Sequence, residues 1–266
     1  MNLETRIKAS LRNPANRTYQ AAEADVIAEV INEYKCTSWI DIGCFHGGLS
    51  REVLTKVKGV THALLVDPVW EFLDTASGGL ITIVPNIETI HGAVVQEDGE
   101  VTIRIPRSNS ISASGVAARC PFEGTDFQVQ GYSISSVLNI AASRGLDLRC
   151  TYLKIDAEFM DLDIVMSLRR DYNGFLPSVI EFEVIDINRY NATMKEPLES
   201  MGFEFVELPK THRYYSVILP RRASEAGKVV AFEKFEIYDI GEYGNLIPRN
   251  ILSKLSWRDP RLKTVS

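Results

Sequence analysis

The chain has 266 residues, 45% of them hydrophobic and 24% charged, the profile of an ordinary globular protein with room for one large domain or two small ones. Its net charge of -6 argues against a nucleic-acid partner, because phosphate contacts need a basic face, and Arg169-Arg170 and Arg221-Arg222 are isolated doublets. No apolar run approaches the roughly 20 residues of a membrane span, and the start Met1-Asn2-Leu3-Glu4-Thr5-Arg6 lacks a signal-peptide core, so no membrane partner is expected and the default address is cytoplasmic.

Past a polar start containing Asn13-Pro14, the residues Ile27, Val30, Ile31 and Tyr34 recur at helical spacing and predict a helix over 18–34. An apolar strand over 38–42 carries Asp41 and opens into the loop Gly43-Cys44-Phe45-His46-Gly47. The next helix shows Leu49, Val53, Leu54 and Val57 on one face, with Gly59 at its end. A second strand over 62–66 closes on Asp67-Pro68. The runs 80–84 and 90–95 are short and β-prone, and Glu97–Glu100 reads as a turn into the alternating strand Val101–Ile105. This hairpin interrupts the regular α/β alternation.

Residues 106–131, with Ser108, Ser110, Ser112, Ser114 and glycines 115, 124 and 131, form the longest polar stretch and read as a lid loop facing a substrate, with simple surface disorder as the alternative. A helix over 133–144 turns Ile134, Val137, Leu138 and Ala141 inward. The strand Tyr152–Asp156 then runs at once into a helical pattern reaching about Leu168. Next come the strand Val179–Val184, a helix near 195–201 closed by Gly202, and an antiparallel edge pair, Phe203–Val206 with Tyr214–Leu219. Pro248 opens a short helix in a C-terminal appendage, 221–266, that packs on the main domain or on a second copy of the chain. The fold class expected is α/β, a mostly parallel, doubly wound, Rossmann-like sheet with an antiparallel edge strand.

A strand, a glycine turn, a helix and a second strand ending in a carboxylate make a nucleoside-binding half of such a sheet. Dinucleotide sites use G-x-G-x-x-G, whereas the pattern here is Asp41-x-Gly43-x-x-x-Gly47. That disfavours a nicotinamide oxidoreductase. An acid at the strand end repels a pyrophosphate but suits a cofactor with a cationic end, and S-adenosyl-L-methionine fits. The bland rival is an ordinary strand-to-helix turn with chance acids. The four cysteines (Cys36, Cys44, Cys120, Cys150) and four histidines (His46, His62, His91, His212) form no zinc signature, and the cysteines are expected to be reduced thiols, mostly buried as small hydrophobes.

The segment Tyr152-Leu153-Lys154-Ile155-Asp156-Ala157-Glu158-Phe159-Met160-Asp161 resembles the K-I-D-x-E-G-x-E signature of FkbM-type methyltransferases. Other landmarks agree in order: the glycine loop, Asp67-Pro68, Gly92-Ala93, the short helix with Ser135-Ser136-Val137-Leu138, the strand from Pro177 to Glu181 or Glu183, and Gly202-Phe203. The resemblance covers about residues 36–220, between an N-terminal helical segment over 1–35 and the appendage. The chain departs from the family at Phe159, where the signature has glycine, at Asp161 in place of its second glutamate, and at Asp67 in place of the glutamate after the second strand.

The resemblance implies a Rossmann-like class I methyltransferase that uses S-adenosyl-L-methionine to methylate a hydroxyl of a small molecule, saccharide or natural-product intermediate. A non-catalytic relative that kept the pocket as a binding module is the alternative. The cofactor residues expected are Asp41, Gly43, Cys44, Phe45, His46, Gly47, Asp67 and Pro68, with Gly92 and Ala93 bordering the adenine. An alcohol needs a base or a metal to lose its proton, and Asp156 is the first expected base, with Glu183 or Glu181 second. Asp156 and Glu183 are alternatively the ligands of a divalent cation such as Mg. Structural rivals stand beside each: Asp156 as a helix cap, Glu158 and Asp161 as helix-dipole or Lys154 partners, Glu181 or Glu183 paired with an arginine, and His46 as a pocket wall.

Overall fold

The computed structural model describes residues 19–107, 115–171, 175–184, 187–193 and 195–200, and the backbone of strand segments between 206 and 257. Helix α1 (Tyr19–Tyr34) buries Ile27, Val30, Ile31 and Tyr34, the stripe predicted from their spacing. Strand β1 (Ser38–Ile42), helix α2 (Gly48–Lys56) and strand β2 (His62–Asp67) follow at the expected places. Helix α3 (Trp70–Leu80) and strand β3 (Asn86–His91) complete the first half.

A separate sheet is then inserted from β4 (Ala93–Val95), β5 (Gly99–Pro106), β6 (Gly115–Val116) and β7 (Gly124–Ser133), in the order β4-β7-β5-β6. The second half runs through α4 (Ile134–Ser143), β8 (Thr151–Ile155), α5 (Asp161–Asp171), β9 (Val179–Val184), α6 (Ile187–Thr193), α7 (Lys195–Ser200), β10 (Val206–Thr211) and β11 (Tyr214–Pro220).

The central sheet has seven strands in the order β10-β11-β9-β8-β1-β2-β3. β1 pairs in parallel with both β2 and β8, and β11 is antiparallel to both β9 and β10. The chain therefore winds outward from β1 to β3 and returns to the other side of β1 as β8. That reversal opens a crevice at the carboxyl ends of β1 and β8, where doubly wound sheets bind ligands. The expected fold class is the one found.

Strand alternation sorts the core into two layers. Ile40, Ile42, Leu64, Val66, Leu153 and Ile155 face α4 and α5, whereas Trp39, Ala63, Leu65 and Tyr152 face α1, α2 and α3. Both faces are covered, which is why β1 and β8 are buried along their whole lengths.

Several local expectations are corrected. Residues 80–84 are not a strand: Leu80 ends α3, and the backbone N–H groups of Ile83 and Val84 donate to its carbonyl in a closing turn. The run 90–95 splits at Gly92, whose N–H donates to the Asp67 carbonyl at 3.0 Å, so the chain leaves the central sheet there and begins the inserted one. Within the expected lid loop, 124–131 is the core of β7, paired antiparallel with β5 from Gly99 to Pro106; residues 108–114 lie outside the described residues. The segment looks loop-like because Thr125, Asp126, Gln128 and Gln130 face solvent.

The helix after β8 begins at Asp161, so Asp156 does not cap it. Pro248 lies in a strand, Leu246–Arg249, opposite Tyr238 of Ile237–Ile240, a two-stranded pair where a missing N–H is tolerated. β11 is interior to the sheet and β10 is the antiparallel edge; Gly202 and residues 203–205 lie outside the described residues. Among the described residues no helix is long and apolar enough to cross a membrane.

Candidate functional site

The site is built where β1 meets β8. Gly43 follows β1 with φ 73°, and a Cβ there would lie 1.8 Å from the carbonyl oxygen of Asp156. Only glycine permits this approach. The Asp156 N–H donates to the Ile42 carbonyl at 2.9 Å, and the Gly43 N–H to the Val66 carbonyl at 2.8 Å, which ties the ends of β1, β2 and β8 together. Gly47, at φ 70°, opens α2 against Ala76 of α3.

A buried polar network lies beneath the loop. Lys154, 6% exposed on β8, pairs with Asp41 at 3.3 Å and with Asp156 at 3.0 Å. Burial alone would lower the Lys154 pKa, but the carboxylates of Asp156, Asp41 and Glu181 hold it well above its ordinary value. Asp41 also accepts from the Ser50 hydroxyl, which in turn accepts from the Trp39 indole N–H at 3.0 Å. The Asp41 charge is thus balanced inside the protein. Tyr152, stacked on Trp39 with ring centroids 5.1 Å apart, donates its hydroxyl to Glu181 at 2.8 Å.

Above this network lies a cavity of about 460 Å³, within the range of small-molecule sites. Its walls include Asp41, Gly43, Cys44, Phe45, His46, Lys154, Asp156, Glu158, Glu181 and Glu183, and also Glu23 of α1. Burial pushes the Glu183 carboxyl up to about 7, with repulsion from Asp156 adding to it, and pushes Glu158 up to about 8. Burial likewise raises Glu181 to about 7, against the lowering pull of Lys154. Glu23 is raised by burial and then by Glu181.

A narrower cavity of about 60 Å³ adjoins it and shares Gly43, Phe45, Asp156 and Glu158. Asp67, Pro68, Gly92 and Ala93 line this second space with Phe72, and Ile103, Gly115 and Val116 of the inserted sheet close it. The Asp67 carboxylate accepts from the Phe45 N–H at 2.9 Å and the Val69 N–H at 2.8 Å. Those two bonds favour the charged form, but burial outweighs them and lifts the carboxyl to about 6. Each oxygen keeps a lone pair for a further donor. Phe45 packs edge-on against Phe72 at 4.6 Å, and His46 meets both rings as a wall, tilted against Phe45 and edge-on to Phe72.

The expected residues therefore fall into two adjoining spaces. Asp67, Pro68, Gly92 and Ala93 lie around one, Asp41, Cys44, His46, Glu181 and Glu183 around the other, with Gly43, Phe45 and Asp156 between. Gly47 lines neither space; its N–H donates to the Cys44 carbonyl at 2.8 Å and closes the loop. Asp161 does not pair with Lys154; it accepts from the Ala157 N–H at 3.3 Å and the Glu183 N–H at 3.4 Å, which ties the turn after β8 to β9. Among the described residues, Glu181 is held by Tyr152 and not by an arginine.

Sequence reasoning missed three parts of the site. Glu23 arrives by tertiary packing of α1 and leaves no local signal. Lys154 had one, a lysine inside an apolar strand and two residues before an acid. Phe72 sits on a helix that the residue pattern did not reveal. Among the described residues no group of three or more His, Cys, Asp or Glu side chains is arranged to hold a metal. The donor set also fits a divalent cation poorly, since the Lys154 ammonium already occupies Asp156.

No protein-family model matches the chain, and no curated protein matches it. Among solved structures, a methyltransferase from Geobacter sulfurreducens is 11% identical, with a TM-score of 0.42 over 83% of this chain and 88% of that one. An O-methyltransferase from Bacillus cereus, solved in complex with SAH, is 9% identical, with a TM-score of 0.43 over 82% and 88%. The methyltransferase FkbM from Methylobacillus flagellatus is 11% identical, with a TM-score of 0.44 over 82% of this chain and 58% of that one.

Proposed function

We propose that the protein is an S-adenosyl-L-methionine-dependent methyltransferase of FkbM type, acting on a hydroxyl of a small saccharide or natural-product intermediate. The observation that carries this reading is the pair of joined cavities over the switch point. One holds a strand-end carboxylate with free lone pairs beside an apolar wall, and the other is lined with carboxyl groups. Asp67 would take the ribose hydroxyls, the backbone from Gly43 to Gly47 the methionine portion, and Gly92-Ala93 with Phe72 the adenine edge. When bound, the cofactor supplies an electrophilic methyl group.

The remaining work falls to the chain's own side chains. Much of the rate comes from holding an acceptor oxygen in line, so the walls of the larger cavity orient the acceptor. A hydroxyl must also lose its proton. Asp156 is tied to Lys154 and Glu181 to Tyr152, whereas the Glu183 carboxylate makes no hydrogen bond to a described residue and faces the same space. Glu183 is therefore the best-placed base, and burial sets its affinity for protons near neutrality, where a general base works best. Asp156 orients, and Ile103, Gly115 and Val116 of the inserted sheet wall one side of the narrower space.

The test is S-adenosylhomocysteine formation over a panel of hydroxylated acceptors. Glu183→Gln is expected to lower kcat about 100-fold, the usual worth of a general base, while S-adenosyl-L-methionine affinity stays that of the parent. An unchanged kcat would remove Glu183 from the mechanism.

A further inference from the structure

The two cavities meet at Gly43, Phe45, Asp156 and Glu158, which line both. Gly43 offers only backbone there. Asp156 is paired with Lys154 at 3.0 Å, and burial holds the Glu158 carboxyl at about 8, mostly protonated at neutral pH. Phe45 brings the one aromatic ring of the four.

That ring is held in place at some cost. The Phe45 backbone lies at φ 48°, in the left-handed region, where a side chain is strained and glycine is not. Its N–H donates to Asp67 at 2.9 Å, so the carboxylate proposed to take the ribose hydroxyls also anchors the residue. Phe72 meets the ring edge-on at 4.6 Å, and His46 is tilted against it at 4.0 Å. A strained non-glycine residue inside a glycine loop, fixed by its neighbours, points to a task for its side chain.

The chemistry of the junction narrows that task. In S-adenosyl-L-methionine the sulfur joins the ribose to the methionine chain. With the ribose at Asp67 and the methionine portion along Gly43 to Gly47, the sulfur falls where the two spaces meet. A sulfonium carries positive charge but no N–H or O–H to donate. The negative face of an aromatic ring attracts such a cation. It has no comparable attraction for the neutral thioether of S-adenosylhomocysteine.

Building on the methyltransferase reading, we propose that the Phe45 ring is the sulfonium contact of the site and makes it favour the charged methyl donor over its neutral product. Phe45 is then a specificity-determining residue. Each methyl transfer removes the charge that the ring attracts, which favours release of S-adenosylhomocysteine.

The test is calorimetric titration of the full chain, the parent beside Phe45→Leu and Phe45→Tyr, with S-adenosyl-L-methionine and S-adenosylhomocysteine. Phe45→Leu, checked by its melting curve, is expected to weaken S-adenosyl-L-methionine about fivefold or more and S-adenosylhomocysteine less than about twofold, the size of a desolvated cation–ring contact. Phe45→Tyr keeps a ring and is expected to keep the parent's ratio of the two affinities. Phe45→Met makes the same comparison as the leucine variant if that one fails to fold. Equal losses for both ligands, no loss for either, or a tyrosine variant that behaves like the leucine one overturns the proposal and leaves Phe45 an apolar wall. Those outcomes defeat this inference alone, whereas a parent that binds neither ligand defeats the methyltransferase reading with it.

Discussion

Lys154 shows how one residue sets the character of the site. Its ammonium is buried between Asp41 and Asp156, and its removal would strand two carboxylates at the floor of the cavity. Lys154→Met is therefore expected to destabilise the fold by about 3–5 kcal/mol, the cost of breaking a buried ion pair on one side, measured by chemical denaturation. A loss below 1 kcal/mol, roughly that of a surface pair, would show that the network is solvated. Asp67 gives the second residue-scale consequence. Its carboxyl is lifted to about 6, so it is ionised at pH 7–8, the form that would accept the ribose hydroxyls of the proposed cofactor. As the pH falls through 6 the group takes a proton and loses an acceptor. Cofactor affinity should hold above pH 7 and fall about tenfold per unit below 6, read by calorimetry at stepped pH. A flat profile between 7 and 5 would mean that Asp67 does not touch the ligand.

At the scale of elements, the turn between β8 and α5 is the most informative. Glu158 and Phe159 both have positive φ, 35° and 70°, in the left-handed region that favours glycine. The resemblance places a glycine of the FkbM signature at Phe159, and the backbone keeps the conformation that a glycine would suit. Asp161 holds this turn down by accepting from the Ala157 and Glu183 N–H groups. Phe159→Gly is expected to be more stable than Phe159→Ala by about 1 kcal/mol, reversing the usual order of the two residues, because both lose the ring and only alanine keeps the strain. Denaturation curves of the two variants check it; an alanine variant at least as stable as the glycine one would contradict the left-handed turn.

Elements also show what the residue pattern could carry. Strands β1, β2, β8 and β9 were legible because each is a short apolar run closed by an acid or a glycine. Helix α3 was not, since Gly78-Gly79 and the exposed Trp70 blur its stripe. Strand β7 was hidden by its polar, solvent-facing residues, and the start of α5 by the apolar turn that precedes it.

Across the whole molecule, the sheet places residues from four distant parts of the chain over one rim: the glycine loop, Asp67, the turn after β8, and β9. The rim acids could be read in advance because parallel strands expose their carboxyl-terminal residues at one edge. Their pairing could not, because which acid meets Lys154, which meets Tyr152 and which faces open space depends on packing across the sheet. The contribution of α1 was illegible for the same reason.

In the proposed function, Asp67, at the wall of the narrower space, accepts the ribose hydroxyls of S-adenosyl-L-methionine. Calorimetric titration of the parent chain and of Asp67→Ala at pH 7.5 tests it most directly. The parent is expected to bind S-adenosyl-L-methionine and S-adenosylhomocysteine, and the variant to lose roughly tenfold or more in affinity, since hydrogen bonds to a charged group disappear. Parent-like affinity in Asp67→Ala, or no binding of either ligand by the parent, would contradict it.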